Sequence, residues 1–297
     1  MSSTSTTQPP PALLHAAALI EKELEKRVQN IDLPPNLKKA AHHAVLGGGK
    51  RVRPSLTLLC CEAVGGEAND ALSAATAVEF VHCFSLVHDD LPALDDDAIR
   101  RGLPTLHIKA GEAMAVLAGD LLLAMAFEQI VADGSPDGRS AALTRLLTNA
   151  TIHTVIGQVY DTVGGFPAHL DAEGQLDLMH RNKTGSLIQA ACEMGAVCGS
   201  ATESDKNAIT AFGRAAGLMF QIVDDLIDID GCPDLVGKAV GKDADMGKLT
   251  FPGVVGDKAS RDAIETLRRV AADAIKSLSN RGEDLKTVTE WMAQRTH

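Results

Sequence analysis

Acidic side chains occur in two places where the surrounding sequence offers little water to solvate them. Asp89, Asp90 and Asp95 to Asp97 fall in HDDLPALDDD, and Asp224, Asp225 and Asp228 fall in QIVDDLIDID. Each cluster adjoins core-like residues, Leu86 and Val87 in the first and Ile222 and Val223 in the second. An unpaired buried carboxylate is heavily penalised, so each cluster must face solvent, meet cations, or face the other across a cavity holding metal. Two such clusters in one apolar, helix-patterned chain favour the shared cavity.

The spacing supports convergence. On a helix Asp224 and Asp228, four residues apart, project from one face, with Asp225 about 100° around from Asp224. Pro92 forbids a regular continuation of the first helix, which frees Asp95 to swing back toward Asp89. Two carboxylates at about 4 Å repel by about 4 kcal/mol at an effective dielectric near 20, so convergence needs a counter-cation. Carboxylate-only ligation selects hard ions such as magnesium, which shares its shell with water and phosphate oxygens.

Apolar residues recur at three- and four-residue intervals, alanine is abundant and β-branched alternation is scarce, which predicts an all-α fold. Helices are expected over 12–29, 36–46, 55–64, 71–90, 112–131, 141–163, 172–198, 205–229, 261–278 and 285–294. Residues 1–11 read as a disordered tail and 12–297 as one helical bundle, because no break has the composition of an interdomain linker. The chain has no internal repeat at a fixed period. The N-terminus lacks the regions of a secretory signal and the arginines of a mitochondrial presequence. The apolar stretch from Met114 to Met125 is interrupted by Gly119 and Asp120 and falls short of the roughly 20 residues that span a bilayer. A cytoplasmic protein with no membrane span is expected, and the six cysteines, without paired CxxC spacing, are expected to be reduced and buried.

A net charge of −11 disfavours nucleic acid as a partner. Any anionic ligand must therefore be captured locally. The segment GGGKRVRP puts three glycines before Lys50, Arg51 and Arg53, which suits backbone turning around an anion, and it lacks the Walker A pattern. Arg100 and Arg101 follow the first aspartate cluster, Lys183 and Thr184 lie in HRNKTGS, and Lys238 and Lys248 follow the second cluster. Basic residues beside both acidic clusters suggest a polyanion between them. His82 lies seven residues before Asp89, two helical turns, and so on nearly the same face.

In this combination the chain resembles the short-chain trans-isoprenyl diphosphate synthases, the farnesyl and geranylgeranyl diphosphate synthase type. GGGKRVRP, the DDxxxxD segment with RRGLPT behind it, KTG, FQIVDDLID, and GKD followed by GKLTFP occur in the family's order between about Lys39 and Pro252. The resemblance implies an isoprenoid-synthase helical bundle acting as a homodimer on isopentenyl diphosphate and an allylic diphosphate. It implies that Asp89, Asp90, Asp95, Asp224, Asp225 and Asp228 help hold roughly two or three magnesium ions per site, with Asp89, Asp95 and Asp224 the firmest ligands. Arg100, Lys183, Thr184, Gln221, Lys238 and Lys248 would grip the allylic substrate, and Lys50, Arg53, His82 and Arg101 the diphosphate of isopentenyl diphosphate. Magnesium, Lys183 and Arg100 would draw off the leaving diphosphate, which would itself accept the proton.

Phe84 stands five residues before Asp89, roughly 7.5 Å along a helix, where bulk forms the tunnel floor in the family. With Ser85 beside it only one large blocker is present, and the expected main product is farnesyl diphosphate, with geranylgeranyl diphosphate the alternative. Asp96 stands where related bacterial enzymes often have Asn, and residues 231–235 read GCPDL in place of a polar run. A class I terpene cyclase needs no second diphosphate pocket, a di-iron bundle needs a second ExxH beyond Glu79 and His82, and a non-catalytic subunit would have lost its metal carboxylates.

Overall fold

Alanine-rich sequence with three- and four-residue apolar spacing folds as helices from end to end of the computed structural model, which describes residues 8–132, 138–230 and 248–295. Lys238, Cys232 and the 231–235 loop lie outside the described residues. In chain order the helices are α1 Pro11–Asn30, α2 Pro35–Leu46, α3 Val52–Ala63, α4 Leu72–Asp89, α5 Leu106–Ala110, α6 Glu112–Ala132, α7 Arg139–Thr162, α8 Ala172–His180, α9 Ser186–Cys198, α10 Glu203–Asp230, α11 Phe251–Val255, α12 Asp257–Ala274 and α13 Glu283–Gln294. The β-structure among the described residues is a two-residue hairpin pairing Ile99–Arg100 with Leu103–Pro104. The all-α expectation is met.

Pro11 opens α1 and Pro35 sits in the first turn of α2, where a missing N–H costs nothing. Of the tail expected over 1–11, Pro10 is already buried. α6 runs 21 residues, and both it and the stretch Ala68–Asp89 are long and apolar enough to cross a bilayer by length and composition alone. The helix expected over 112–131 forms without interruption at Gly119 and Asp120, and only the expectation that its apolar stretch falls short of a span is overturned. Gly119 is buried inside the helix against α4, and Asp120 points to solvent. The segment expected as one helix over 172–198 is divided by a π turn, Arg181–Gly185, between α8 and α9.

Two large apolar clusters hold the bundle, beside a small one that joins α2, α4, α5 and α6 around Val87 and Leu106. Of the large ones, one joins α3, α9, α10, α12 and α13 around Leu56, Ile188, Phe212 and Trp291; the other joins α1, α2, α3, α4, α6, α7 and α9 around Leu24, Phe80, Leu122 and Leu147. α3 and α9 belong to both, so they form the spine on which the rest packs. Five cysteines, Cys60, Cys61, Cys83, Cys192 and Cys198, are free and buried there, as expected.

Between α2 and α3 the chain turns through positive φ at Gly48, Gly49 and Arg51. A left-handed arginine is uncommon, and a buried ion pair maintains this one. Arg51 turns inward, with Nη1 2.6 Å from Glu79 Oε1, Nε 2.6 Å from Glu21 Oε1, and Nη2 donating to the Val45 carbonyl at 2.6 Å. Its side chain is fully buried and that of Glu79 is 1% exposed. Removing one partner of such a pair leaves a buried charge uncompensated, at a cost of about 3–5 kcal/mol. Arg51→Met is therefore expected to lower stability by about that amount in chemical denaturation, and the double variant Arg51→Met/Glu79→Leu to recover much of it. Strictly additive losses would contradict the clamp.

Candidate active site

α4 delivers the first acidic wall and α10 the second. α4 ends at Asp89, Pro92 prevents its continuation, and the loop folds back so that the Asp95 N–H donates to the Asp89 carbonyl at 2.9 Å. Asp89, Asp95 and Asp97 then line one cavity of about 220 Å³ together with Asp224, Asp225 and Asp228 from α10. Both walls face inward.

Asp90 is the exception to the expected ligand set. One position further round the helix, its carboxylate is buried behind the wall and accepts from Arg100 Nε at 2.6 Å, so it orients Arg100 and does not line this cavity. Asp225 is also committed within the protein, accepting from Gln221 Nε2 at 2.8 Å and from the Phe251 N–H at 2.7 Å, which anchors α11 to the site. Asp96 points outward at φ +49° with its side chain 70% exposed, so the residue type there has little bearing on the cavity.

Basic groups occupy the space between the walls. Lys183 Nζ lies 2.6 Å from Asp161 Oδ2, and Lys248 Nζ lies 2.9 Å from Asp95 and 3.5 Å from the same Asp161 oxygen. Thr184 Oγ1 donates to Gln221 Oε1 at 2.6 Å. Burial raises the Asp161 carboxyl, but Lys183 and Lys248 outweigh it and hold the group below its usual range. Burial lowers Lys183, and Asp89 and Asp161 more than restore it, so its charge is secure. Asp89 is pushed up to about 6 by burial, with Lys183 opposing, which marks a carboxylate short of counter-charge. Asp90 likewise stands at about 6 through burial, opposed by Arg100.

The donor set fits magnesium. The cavity offers hard carboxylate oxygens from two facing helices, Asp89 among them lacking sufficient positive charge. Among the described residues no three ligating side chains already converge on one point. Magnesium does not need such a cage, since it binds through one or two carboxylates and completes its shell with water and phosphate. Lys183 and Lys248 neutralise the walls meanwhile.

The second basic set assembles beside this cavity. Arg101, at φ +54°, stacks its guanidinium over Gly49, where a Cβ would fall 2.6 Å from Cζ, and Nη1 donates to the Gly48 carbonyl. His82 Nε2 sits 3.5 Å from both Arg53 Nη1 and Arg101 Nη2. Burial and those guanidiniums hold the ring far below its usual pKa, so it is neutral, presents a lone pair to both arginines and keeps Nδ1 as its donor. Arg53 packs over Phe220 at 5.4 Å, Arg295 over the same ring at 3.7 Å, and Lys50 over Trp291 at 5.8 Å. Arg295 also lies 2.7 Å from Asp224.

An apolar cavity of about 290 Å³ adjoins the acidic one. Leu86, Asp89 and Lys183 line both, and Phe84, Ser85, Val155, Val159 and Leu187 form much of the second, with Arg53 and His82 at its side. Every expected site residue among those described therefore falls around two adjoining cavities or the basic loop beside them, Asp90 one layer behind. Sequence reasoning missed Asp161, His180 and Arg295. His180 lines the acidic cavity, stacks on Phe251 and lies 3.5 Å from Asp225, and burial lowers it to about 4. The signal for Asp161 is faint, a single aspartate at the end of α7 that matters only once the π turn brings Lys183 to it.

The sequence model of the family described as polyprenyl synthetase matches residues 34–291. Geranylgeranyl pyrophosphate synthase 4 of Arabidopsis thaliana is 40% identical over 291 residues, covering 97% of this chain and 78% of that protein. Among solved structures, a geranylgeranyl pyrophosphate synthase superposes with TM-score 0.86 at 27% identity, covering 96% of this chain and 99% of the other. A geranyltransferase from Helicobacter pylori, complexed with magnesium and isoprenyl diphosphate, gives TM-score 0.80 at 30% identity over 95% of this chain and 98% of its own.

The π turn that aims Lys183 depends on Gly157 of α7, where a Cβ would fall 2.1 Å from the Lys183 nitrogen and 2.4 Å from its Cα. Backbone atoms cannot swing aside as a side chain can. Gly157→Ala is expected to cost about 1–3 kcal/mol by overpacking and to weaken magnesium-dependent binding of inorganic diphosphate, read by denaturation and calorimetry. Wild-type values in both would show that the close approach positions nothing.

Proposed function

The chain belongs to the polyprenyl synthetase family, and from that membership we propose that it condenses isopentenyl diphosphate with allylic diphosphates to give mainly geranylgeranyl diphosphate. It is a magnesium-dependent prenyltransferase. The observation that carries the finer reading is the junction at Asp89 and Lys183, where a carboxylate-walled cavity opens onto an apolar one. A diphosphate in the first directs its hydrocarbon tail into the second.

Magnesium, when bound, neutralises the negative charge that develops on the leaving diphosphate. The chain's own residues do the rest. Lys183, held charged by Asp89 and Asp161, and Arg100, held by Asp90, point fixed cations at that diphosphate as its C–O bond breaks and the electron pair departs with it. Lys50, Arg53 and Arg101 hold the second diphosphate so that the isopentenyl double bond faces the allylic cation, and neutral His82 keeps the two arginines side by side. Apolar walls from α4, α7 and α9 exclude water that would otherwise capture the cation. The proton lost in forming the new double bond goes to the departing diphosphate, and no side chain is assigned as base.

The C20 product has more support than the farnesyl diphosphate expected from Phe84 alone. The Arabidopsis relative and the solved structure with TM-score 0.86 are both named as geranylgeranyl synthases. Phe84 is only 7% exposed, its ring edge-on to His88 at 5.4 Å and 85°, which sets it into the wall. A homodimer is supported by apolar side chains exposed on α6, on α7 and just past its end, including Leu117, Ile152, Val155, Val159 and Val163, some of which line the tail cavity. Sedimentation is expected to give twice the chain mass, and a monomer at micromolar concentration would remove the dimer from this reading.

Chromatography of products from labelled isopentenyl diphosphate with C5, C10 and C15 primers is expected to show C20 as the main product. Phe84→Ala is expected to lengthen it. A main product of C15 would return the assignment to farnesyl diphosphate, and an unchanged length in Phe84→Ala would remove this cavity from chain-length control. Lys50 is lowered to about 8 by burial and then by Arg295, with Asp224 opposing. Below that pH it is charged and can bind an anion; above it the free site loses the charge. KM for isopentenyl diphosphate should therefore climb above pH 8, by at most about tenfold per unit, and Lys50→Arg should flatten the rise. A pH-independent KM through pH 9 would sink the role given to Lys50.

A further inference from the structure

Gly119 sits in the middle of α6, a helix otherwise rich in Ala, Leu and Met, where glycine is less favourable than alanine by about 1 kcal/mol. A packing reason is needed, and His88 supplies it. A Cβ on Gly119 would lie 2.1 Å from His88 Nε2, 2.4 Å from Cδ2 and 2.9 Å from Cε1, so the imidazole occupies the notch that the missing side chain leaves. Nε2 lies 3.1 Å from the Val116 carbonyl, one turn earlier on α6, and donates to it there. The ring is thus seated on α6 by shape and by a hydrogen bond.

The other side of His88 faces the tail cavity, where it meets Phe84 edge-on at 5.4 Å, and both rings are part of the cavity wall. Phe84 and His88 are four residues apart on α4 and therefore neighbours on one face. A ring displaced from α6 has to move away from α6, and the space on that side is the cavity. We propose that Gly119, which does not line the cavity, sets product length by seating His88, which in turn keeps the Phe84 ring against the wall. The proposal rests on the reading that this cavity houses the growing chain. Gly119 and His88 are positioning residues, and the group that meets the chain is Phe84.

The test is the ratio of C20 to C15 product at saturating isopentenyl diphosphate, a readout that a purely structural loss would not move. Gly119→Ala is expected to shift the ratio toward C15 by about tenfold, the scale on which small changes in apolar pocket volume discriminate. His88→Ala leaves a hollow into which Phe84 can recede, so it is expected to shift the ratio the other way. Phe84→Ala/Gly119→Ala is expected to match Phe84→Ala alone, because the space left by the Phe84 ring takes up the displaced imidazole and no ring is pushed into the path of the chain. If Gly119→Ala yields no folded protein, His88→Ala carries the test, and an unchanged or shorter product from it overturns the proposal. An unchanged ratio in folded Gly119→Ala, or a double variant still shorter than Phe84→Ala, also overturns it. Should Phe84→Ala itself leave the length unchanged, the housing of the chain fails; if Phe84→Ala lengthens the product and neither Gly119→Ala nor His88→Ala moves it, only the seat fails.

Discussion

Repulsion between two facing walls of carboxylates is the constraint on which this structure turns. Asp89 and Asp95 on one side and Asp224 and Asp228 on the other line one cavity, and each close pair of such charges costs about 4 kcal/mol at 4 Å without a cation between them. The protein balances this partly with its own lysines. Lys183 and Lys248 share Asp161 of α7, and Lys248 also reaches Asp95, so positive charge from the π turn and the segment before α11 spans the gap. Burial still holds Asp89 at about 6 against the pull of Lys183. A site in that condition is arranged to take up divalent cations together with a polyanion, each making the other's binding favourable.

Around this centre the backbone is shaped by close approaches that only glycine permits. Gly157 lets the π turn lie against α7 and so aims Lys183; Gly49 lets the Arg101 guanidinium lie flat on the basic loop. Arg51 uses its charge in the core, clamping the same loop from beneath through Glu79 and Glu21 while Lys50 and Arg53 stay beside Trp291 and Phe220. The second diphosphate site thus depends on residues with opposite duties at adjacent positions.

Much of this was legible in the sequence. The helical class followed from apolar periodicity, the return of Asp95 to Asp89 from Pro92, and the inward-facing walls from the apolar neighbours of both clusters. What the sequence concealed was the division of labour inside each motif. Asp89 and Asp90 are equivalent as letters, yet one helical step of about 100° sends one to the cavity and the other to Arg100. Asp225 looks like a ligand and holds the N–H of Phe251. The π turn was read as continuous helix because its cause lies on another helix, and Asp161 carried no motif. The product-length expectation rested on the bulk of Phe84, and bulk says nothing about whether a ring blocks a tunnel or lies in its wall.

The shared-cavity account is tested most directly by calorimetry of an unreactive allylic diphosphate analogue binding to the wild type, Asp89→Asn, Asp224→Asn and the double variant, with and without magnesium. If both walls act through ions on one ligand, tight binding requires magnesium, either substitution alone weakens it by about 100-fold or more (about 2.7 kcal/mol), and the double variant loses far less than the sum. Magnesium-independent binding, or losses from the two walls that simply add, would contradict it.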